Sequence, residues 1–209
     1  MSIQSTVLNF FLKKFVKNTK PSPDEYSFQD MRDLMNDSFE MGEKNFIEKL
    51  IIKSTFVNRR SSIKSTETFL DGIRTLKISR EDSWKEKCIL YFHGGGYIAG
   101  SPETHLNLLK EIYNNSKITI YAIDYSLSPE SKFPLALNEA VRSYAALRNL
   151  GYQANNIIIG GDSAGGNLSL VCTLKLQENN QELPSKLFLL SPWTDLTASG
   201  KSIESNSIS

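Results

Sequence analysis

A run of three isoleucines, Ile157-Ile-Ile159, leads directly into Gly160-Gly161-Asp162-Ser163-Ala164-Gly165-Gly166, and a helical pattern follows. A bare Gly-x-Ser-x-Gly occurs by chance in many chains. Between a strand and a helix it describes a sharp, strained turn. Ser163 then projects its hydroxyl above the sheet edge. The crowded positions two before and two after it are Gly161 and Gly165, which carry no side chain to clash. The N–H of Ala164, at the helix N-terminus, faces the place where negative charge on a bound group would develop. A glycine turn that merely packs tightly and a phosphate cradle are the competing readings. Asp162 is poorly placed beside a phosphate.

The surrounding texture supports that strand-to-helix reading. Short apolar runs at 88–92, 118–123, 157–159 and 187–190 have little polar interruption, as suits strands buried on both faces. Helical segments separate them. Ser101-Pro102-Glu103 predicts a helix start, with Leu106, Leu109 and Tyr113 at helical spacing. Pro134 opens a second helix striped by Leu137, Val141 and Tyr144 and ended by Gly151. A third begins at Ala164, with Leu168, Val171 and Leu174 as its stripe. Strand–helix–strand repeated this way predicts an α/β fold with a mostly parallel sheet and helices on both faces. Upstream, 55–80 is β-like, with Asp71-Gly72 as a turn before the strand 73–78.

Three segments are expected: 1–52 helical, 53–196 the α/β core, and 197–209 a polar, serine-rich tail. In the first, Val7, Leu8, Phe11, Leu12 and Phe15 form an apolar helical stripe beside Lys13, Lys14 and Lys17. Packing on its own domain is the expected use, and a membrane-surface helix the alternative. The start of the chain lacks a basic leader and a small-residue cleavage site, so no secretory signal is expected. No apolar stretch approaches the roughly 18 residues of a membrane span. With 24 Lys plus Arg against 23 Asp plus Glu, no broad field recommends a nucleic acid partner. Cys88 and Cys172 read as buried thiols in a reducing, cytoplasmic setting.

A second motif carries chemistry: Leu90-Tyr-Phe-His93-Gly94-Gly95-Gly96-Tyr97. Three glycines after a strand free the backbone to aim successive N–H groups at one point. A carbonyl oxygen that gains charge during ester hydrolysis needs such a point, where each fixed donor lowers the barrier by about 3 kcal/mol. His93, directly before the glycines, is expected to brace the loop rather than act as a base.

Together the two motifs resemble the hormone-sensitive-lipase-like branch of the α/β-hydrolases, the family IV carboxylesterases. The likeness covers roughly residues 85–196 in four ordered blocks. They are His93 to Tyr97 with Gly100-Ser101 and Thr104-His105; Asp124-Tyr125-Ser126-Leu127-Ser128-Pro129-Glu130 with Phe133-Pro134; Gly161 to Asn167; and Ser191-Pro192-Trp193-Thr194-Asp195-Leu196. The resemblance implies an α/β-hydrolase fold and hydrolysis of short to medium acyl esters, with no metal or organic cofactor. Ser163 would be the nucleophile, with Gly95, Gly96 and Ala164 as oxyanion donors. Tyr97, Tyr125 and Trp193 are candidates to line the pocket, with burial in the core as the alternative. The N-terminal helices resemble part of a lid-like cap.

Two departures stand out. Ser126 replaces the arginine usual in its block. No residue matches the triad aspartate and histidine that follow the Ser-Pro-Trp block in the family, so the last strands are expected to be missing. His105 matches a position outside the triad, and Asp195 reads as structural. A serine without a base is a poor nucleophile. The chain is therefore expected to be a truncated or split esterase, impaired alone, with a complementary C-terminal fragment or an oligomer as partner. A binding protein derived from an esterase is the competing class.

Overall fold

The structure is a computed structural model that describes residues 29, 30, 32, 33, 35–37, 63–197 and 199–201. Most of the expected cap segment 1–52, including the stripe at 7–15, lies outside them, as does 202–209 of the expected tail. Residues 29–37, where described, are helical.

The strands and helices follow in chain order. A hairpin of β1 (Lys64–Leu70) and β2 (Ile73–Ser79) comes first, then β3 (Trp84–Phe92), α1 (Leu106–Ser116) and β4 (Ile118–Ile123). Next are α2 (Leu135–Asn149), β5 (Ile157–Asp162), α3 (Ser163–Glu178) and β6 (Lys186–Leu190). The six strands form one sheet in the order β1-β2-β4-β3-β5-β6. β4, β3, β5 and β6 are parallel, whereas β2 pairs antiparallel with both β1 and β4. The hairpin turns on Asp71 and Gly72, both at positive φ (50° and 77°), the backbone a tight two-residue turn demands.

Alternation along β3 shows why the sheet is covered twice. Cys88, Leu90 and Phe92 pack with Tyr144 and Leu147 of α2 and with Leu168, Cys172 and Leu176 of α3. Ile89 and Tyr91 point to the opposite face and pack with Leu109 and Tyr113 of α1. Each of these large apolar side chains, fully buried, contributes about 1.5–3 kcal/mol. The chain passes from β3 outward to β4 and then jumps back over β3 to β5. That reversal places α1 and α2 on opposite faces. It also opens a crevice at the carboxyl ends of the strands, where α/β sheets bind ligands.

Two helix expectations need correction. The Ser101 start signal operates five residues ahead of α1. The Ser101 and Thr104 side chains bond each other's backbone N–H at 3.3 and 3.0 Å, and an irregular turn intervenes before Leu106. On α3 the buried stripe is Leu168, Cys172 and Leu176, one residue every four, while Leu174 is 62% exposed. Cys88 and Cys172 are buried free thiols, each pushed up to about 12 by burial.

Among the described residues β6 lies at the edge of the sheet and pairs only with β5. Leu187-Phe-Leu-Leu190 carries neither charge nor proline, and Leu190, Leu174 and Leu183 are all exposed. Such an edge recruits another strand. The purified 209-residue chain is expected to elute as oligomer or aggregate in size-exclusion chromatography. A monodisperse monomer with a sharp unfolding transition would contradict this.

Candidate active site

Ser163 stands where β5 becomes α3, with φ at 50°. A left-handed backbone costs a serine on the order of 1–3 kcal/mol, and it persists here because packing over-determines it. A methyl added at Gly165 would meet the Phe92 and His93 carbonyl oxygens at the exit of β3. The glycine therefore lets the first turn of α3 press against that strand end. From the other side, the Trp193 N–H donates to the Ser163 carbonyl at 2.9 Å. Ala164 follows in the first helical turn, where backbone N–H groups have no intrahelical partner.

The glycine loop leaves the adjacent strand, β3. Gly95 has φ 124° and Gly96 φ 63°, and the Gly95 carbonyl accepts from Ile98 N and Ala99 N, both at 3.0 Å. Gly94 N–H is committed to Asp162 Oδ1 at 3.0 Å. Among the described residues neither Gly95 N–H nor Gly96 N–H has a partner. The two expected donors thus stand uncommitted, on a loop tied to the residue before Ser163.

Asp162 makes that tie, a role the sequence reading missed. Its Oδ1 also accepts from the Tyr91 hydroxyl at 2.8 Å, and its Oδ2 lies 3.4 Å from His105 Nε2. Burial alone would raise its pKa, yet His105 and the Tyr91 hydrogen bond hold it below the ordinary aspartate value. The acid between glycine and serine was the available signal. Its partners lie 57 to 71 residues upstream and leave no local trace.

His93 sits under the loop, 1% exposed, with its ring stacked on Tyr125 at 4.3 Å. Nδ1 is 2.7 Å from the Gly94 carbonyl, so Nδ1 carries the proton. Nε2 is buried and has no partner among the described residues. Burial first, and the neighbouring His105 second, push its pKa down to about 3, so the ring is neutral. His105 is also buried, engaged by Asp162 and, through Nδ1, by Thr104 Oγ1 and the Ser101 carbonyl.

Of the three candidate lining residues, Tyr97 and Trp193 border an apolar cavity of about 310 Å³, shared with Leu137, Leu168 and Val171. Tyr97 donates to Asn167 Oδ1 at 2.7 Å. Tyr125 is a correction: it lies beneath the loop and donates its hydroxyl to the His93 carbonyl at 2.7 Å. At 2% exposure, stacked on His93 and edged by Tyr97, its ring is not open to a ligand. Ser126, in the place of arginine, is held otherwise than by an ion pair: its N–H and hydroxyl both donate to the Glu139 carboxylate, at 2.7 and 2.8 Å. Asp195 is capped by Thr197 and Ser199, each donating a backbone N–H and a hydroxyl, which holds its pKa near 2. Among the described residues no cluster of three His, Cys, Asp or Glu could hold a metal ion. No described helix is long and apolar enough to cross a membrane.

A family model described as alpha/beta hydrolase fold matches residues 89–208, more than half of the chain. An esterase of Acinetobacter venetianus is 35% identical over 137 residues, which are 66% of this chain and 45% of that protein. Mouse hormone-sensitive lipase is 35% identical over 115 residues, 53% of this chain and 15% of the lipase. The crystal structure of an esterase from the bacterial hormone-sensitive lipase family superposes with a TM-score of 0.76 at 26% identity. It covers all of this chain and 64% of its own. A hormone-sensitive lipase from a metagenome library gives 0.74 at 33% identity, covering 98% and 62%. The chain thus spans about half the length of its curated bacterial relative and under two thirds of these crystallised ones. On its sheet order, its strand-to-helix serine turn and these matches, the chain belongs to the alpha/beta hydrolase fold family and is similar within it to the hormone-sensitive lipase group of esterases.

Proposed function

We propose that this chain carries the nucleophile and oxyanion half of a serine carboxylesterase. The observation that carries the reading is Ser163 on its strained turn at the end of β5, with two glycine N–H groups that have no partner among the described residues on the loop leaving the neighbouring β3. In this reading Ser163 Oγ forms a bond to the ester carbonyl carbon, and Gly95, Gly96 and Ala164 donate to the resulting oxyanion. The carbon–oxygen bond to the alcohol then breaks, and water later releases the acid from acyl-Ser163. The 310 Å³ cavity, walled by Leu137, Leu168 and Val171, suits a short to medium acyl chain. Unpaired, buried Cys88 and Cys172 support a reducing, cytoplasmic setting.

The proton of Ser163 needs a base, and neither histidine of this chain is free to take it. His93 is sealed beneath the loop and His105 is spent on Asp162. In this reading the base and its orienting acid come from residues other than these 209. The same observation favours a second reading, a binding protein that keeps the pocket without turnover. Nitrophenyl acetate separates the two. The isolated chain is expected to hydrolyse it within a few-fold of Ser163→Ala, because losing a triad member costs up to about a million-fold. Adding a C-terminal segment with an aspartate and a histidine, fused or separate, is expected to restore turnover that depends on Ser163. No restoration would favour the binding protein. Fast turnover by the chain alone, abolished by His105→Ala, would overturn the assignment of the base.

A further inference from the structure

We propose that Arg32 and Asn36 are positioning residues that hold the oxyanion loop shut from outside, so that the donors Gly95 and Gly96 depend on the helical segment at 29–37. The proposal rests on the reading of those glycines as oxyanion donors. Arg32 and Asn36 are four residues apart and lie on one helical face. Both reach the limb of the loop that returns from the glycines. Arg32 Nε donates to the Ile98 carbonyl at 2.7 Å, and the Asn36 side-chain oxygen accepts from Gly100 N–H at 2.9 Å. Arg32 Nη2 also donates to the Ser128 carbonyl at 2.8 Å, and the guanidinium pairs with Glu130 at 2.7 Å. Ser128 N–H in turn donates to the Tyr97 carbonyl at 2.8 Å.

Among the described residues, the segment 95–99 makes two backbone bonds within itself, from Ile98 and Ala99 to the Gly95 carbonyl, and its Tyr97 carbonyl is held from outside by Ser128. Glycines at positive φ do not hold themselves in one conformation, since they reach many at little cost. Ile98 and Gly100 are buried, and a buried carbonyl or N–H left unpaired is costly. The two handles therefore oppose rotation of the Gly95–Gly96 peptides. The Glu130 pair contributes less, because Glu130 is 59% exposed, whereas the Arg32 side chain is only 17% exposed.

Amide hydrogen exchange in the 209-residue chain tests the geometry. Arg32→Gln and Asn36→Ala are expected to speed exchange of the Ile98 and Ala99 amides about 10-fold or more, with core amides of β3, β5 and α3 within about 2-fold. Glu130→Gln, which keeps the guanidinium–carbonyl bonds, is expected to do so far less. Arg32→Lys keeps the charge but loses the fork, so it should behave like Arg32→Gln. Unchanged Ile98 and Ala99 exchange, or equal acceleration throughout the protein, would overturn the proposal. In any form that shows Ser163-dependent ester turnover, Arg32→Gln is expected to lower kcat about 10-fold or more with KM within about 2-fold. A change in KM alone would also overturn it. If no form turns over ester, the enzyme reading fails, and exchange still decides the positioning role.

Discussion

Acidification from pH 6.5 to about 3.5 is expected to remove roughly 3–4 kcal/mol of stability through His93 alone. In the folded protein the ring stays neutral down to about pH 3, because it is fully buried and His105 lies beside it. In the unfolded chain it binds a proton near pH 6.5. Between those values the unfolded state holds more protons, so stability falls with pH at up to about 1.4 kcal/mol per unit. Asp162 and Glu103, both held below the ordinary carboxylate range, add their losses only at the acid end. Asp124, raised by burial, binds its proton earlier in the folded chain and acts in the opposite sense. The upper part of the window therefore belongs to His93. His93→Gln isolates that contribution, since its amide can still donate to the Gly94 carbonyl without gaining charge. Denaturation midpoints measured from pH 7 to 4 should fall more steeply for the native chain than for this variant. Parallel curves would show that the buried ring is not the sensor.

The second large effect is steric. Gly165→Ala would place a methyl against the carbonyl oxygens of Phe92 and His93, at the end of a central strand. Backbone in the middle of a sheet cannot withdraw as a side chain can. The cost is expected at the top of the 1–3 kcal/mol range for overpacking or above it, a loss in Tm of about 6 °C or more. Its neighbour offers a control, because a methyl at Gly166 meets the Pro192 ring first, at 2.8 Å. Pro192 lies on a half-buried loop and can shift. Thermal unfolding should therefore rank Gly165→Ala well below Gly166→Ala, which in turn lies below the native chain. Equal losses would mean that α3 slides away from β3 as readily as a loop does.

Whatever a few consecutive residues decide was legible beforehand. The parallel strands, the Asp71-Gly72 turn and the serine turn follow from short uninterrupted apolar runs, from the 3.6-residue spacing between them, and from glycines at the turns. Those are local sterics, and a sequence records them directly. The stripe on α3 was only half readable. Its 3.6-residue spacing allows Leu174 or Cys172 as the buried member, and only the position of β3 chooses Cys172. The flat stack of Tyr125 on His93 and the shared grip of Asp162 on Tyr91, Gly94 and His105 join residues 32 to 71 apart. The same is true, at about sixty-five residues, of Arg32 with Ile98 and Asn36 with Gly100. None of these pairings has a period. The sequence determined which residues could carry the chemistry. The tertiary structure alone decided which hydrogen bonds hold them, because a buried polar group takes the partner that folding brings within reach, wherever it lies in the chain.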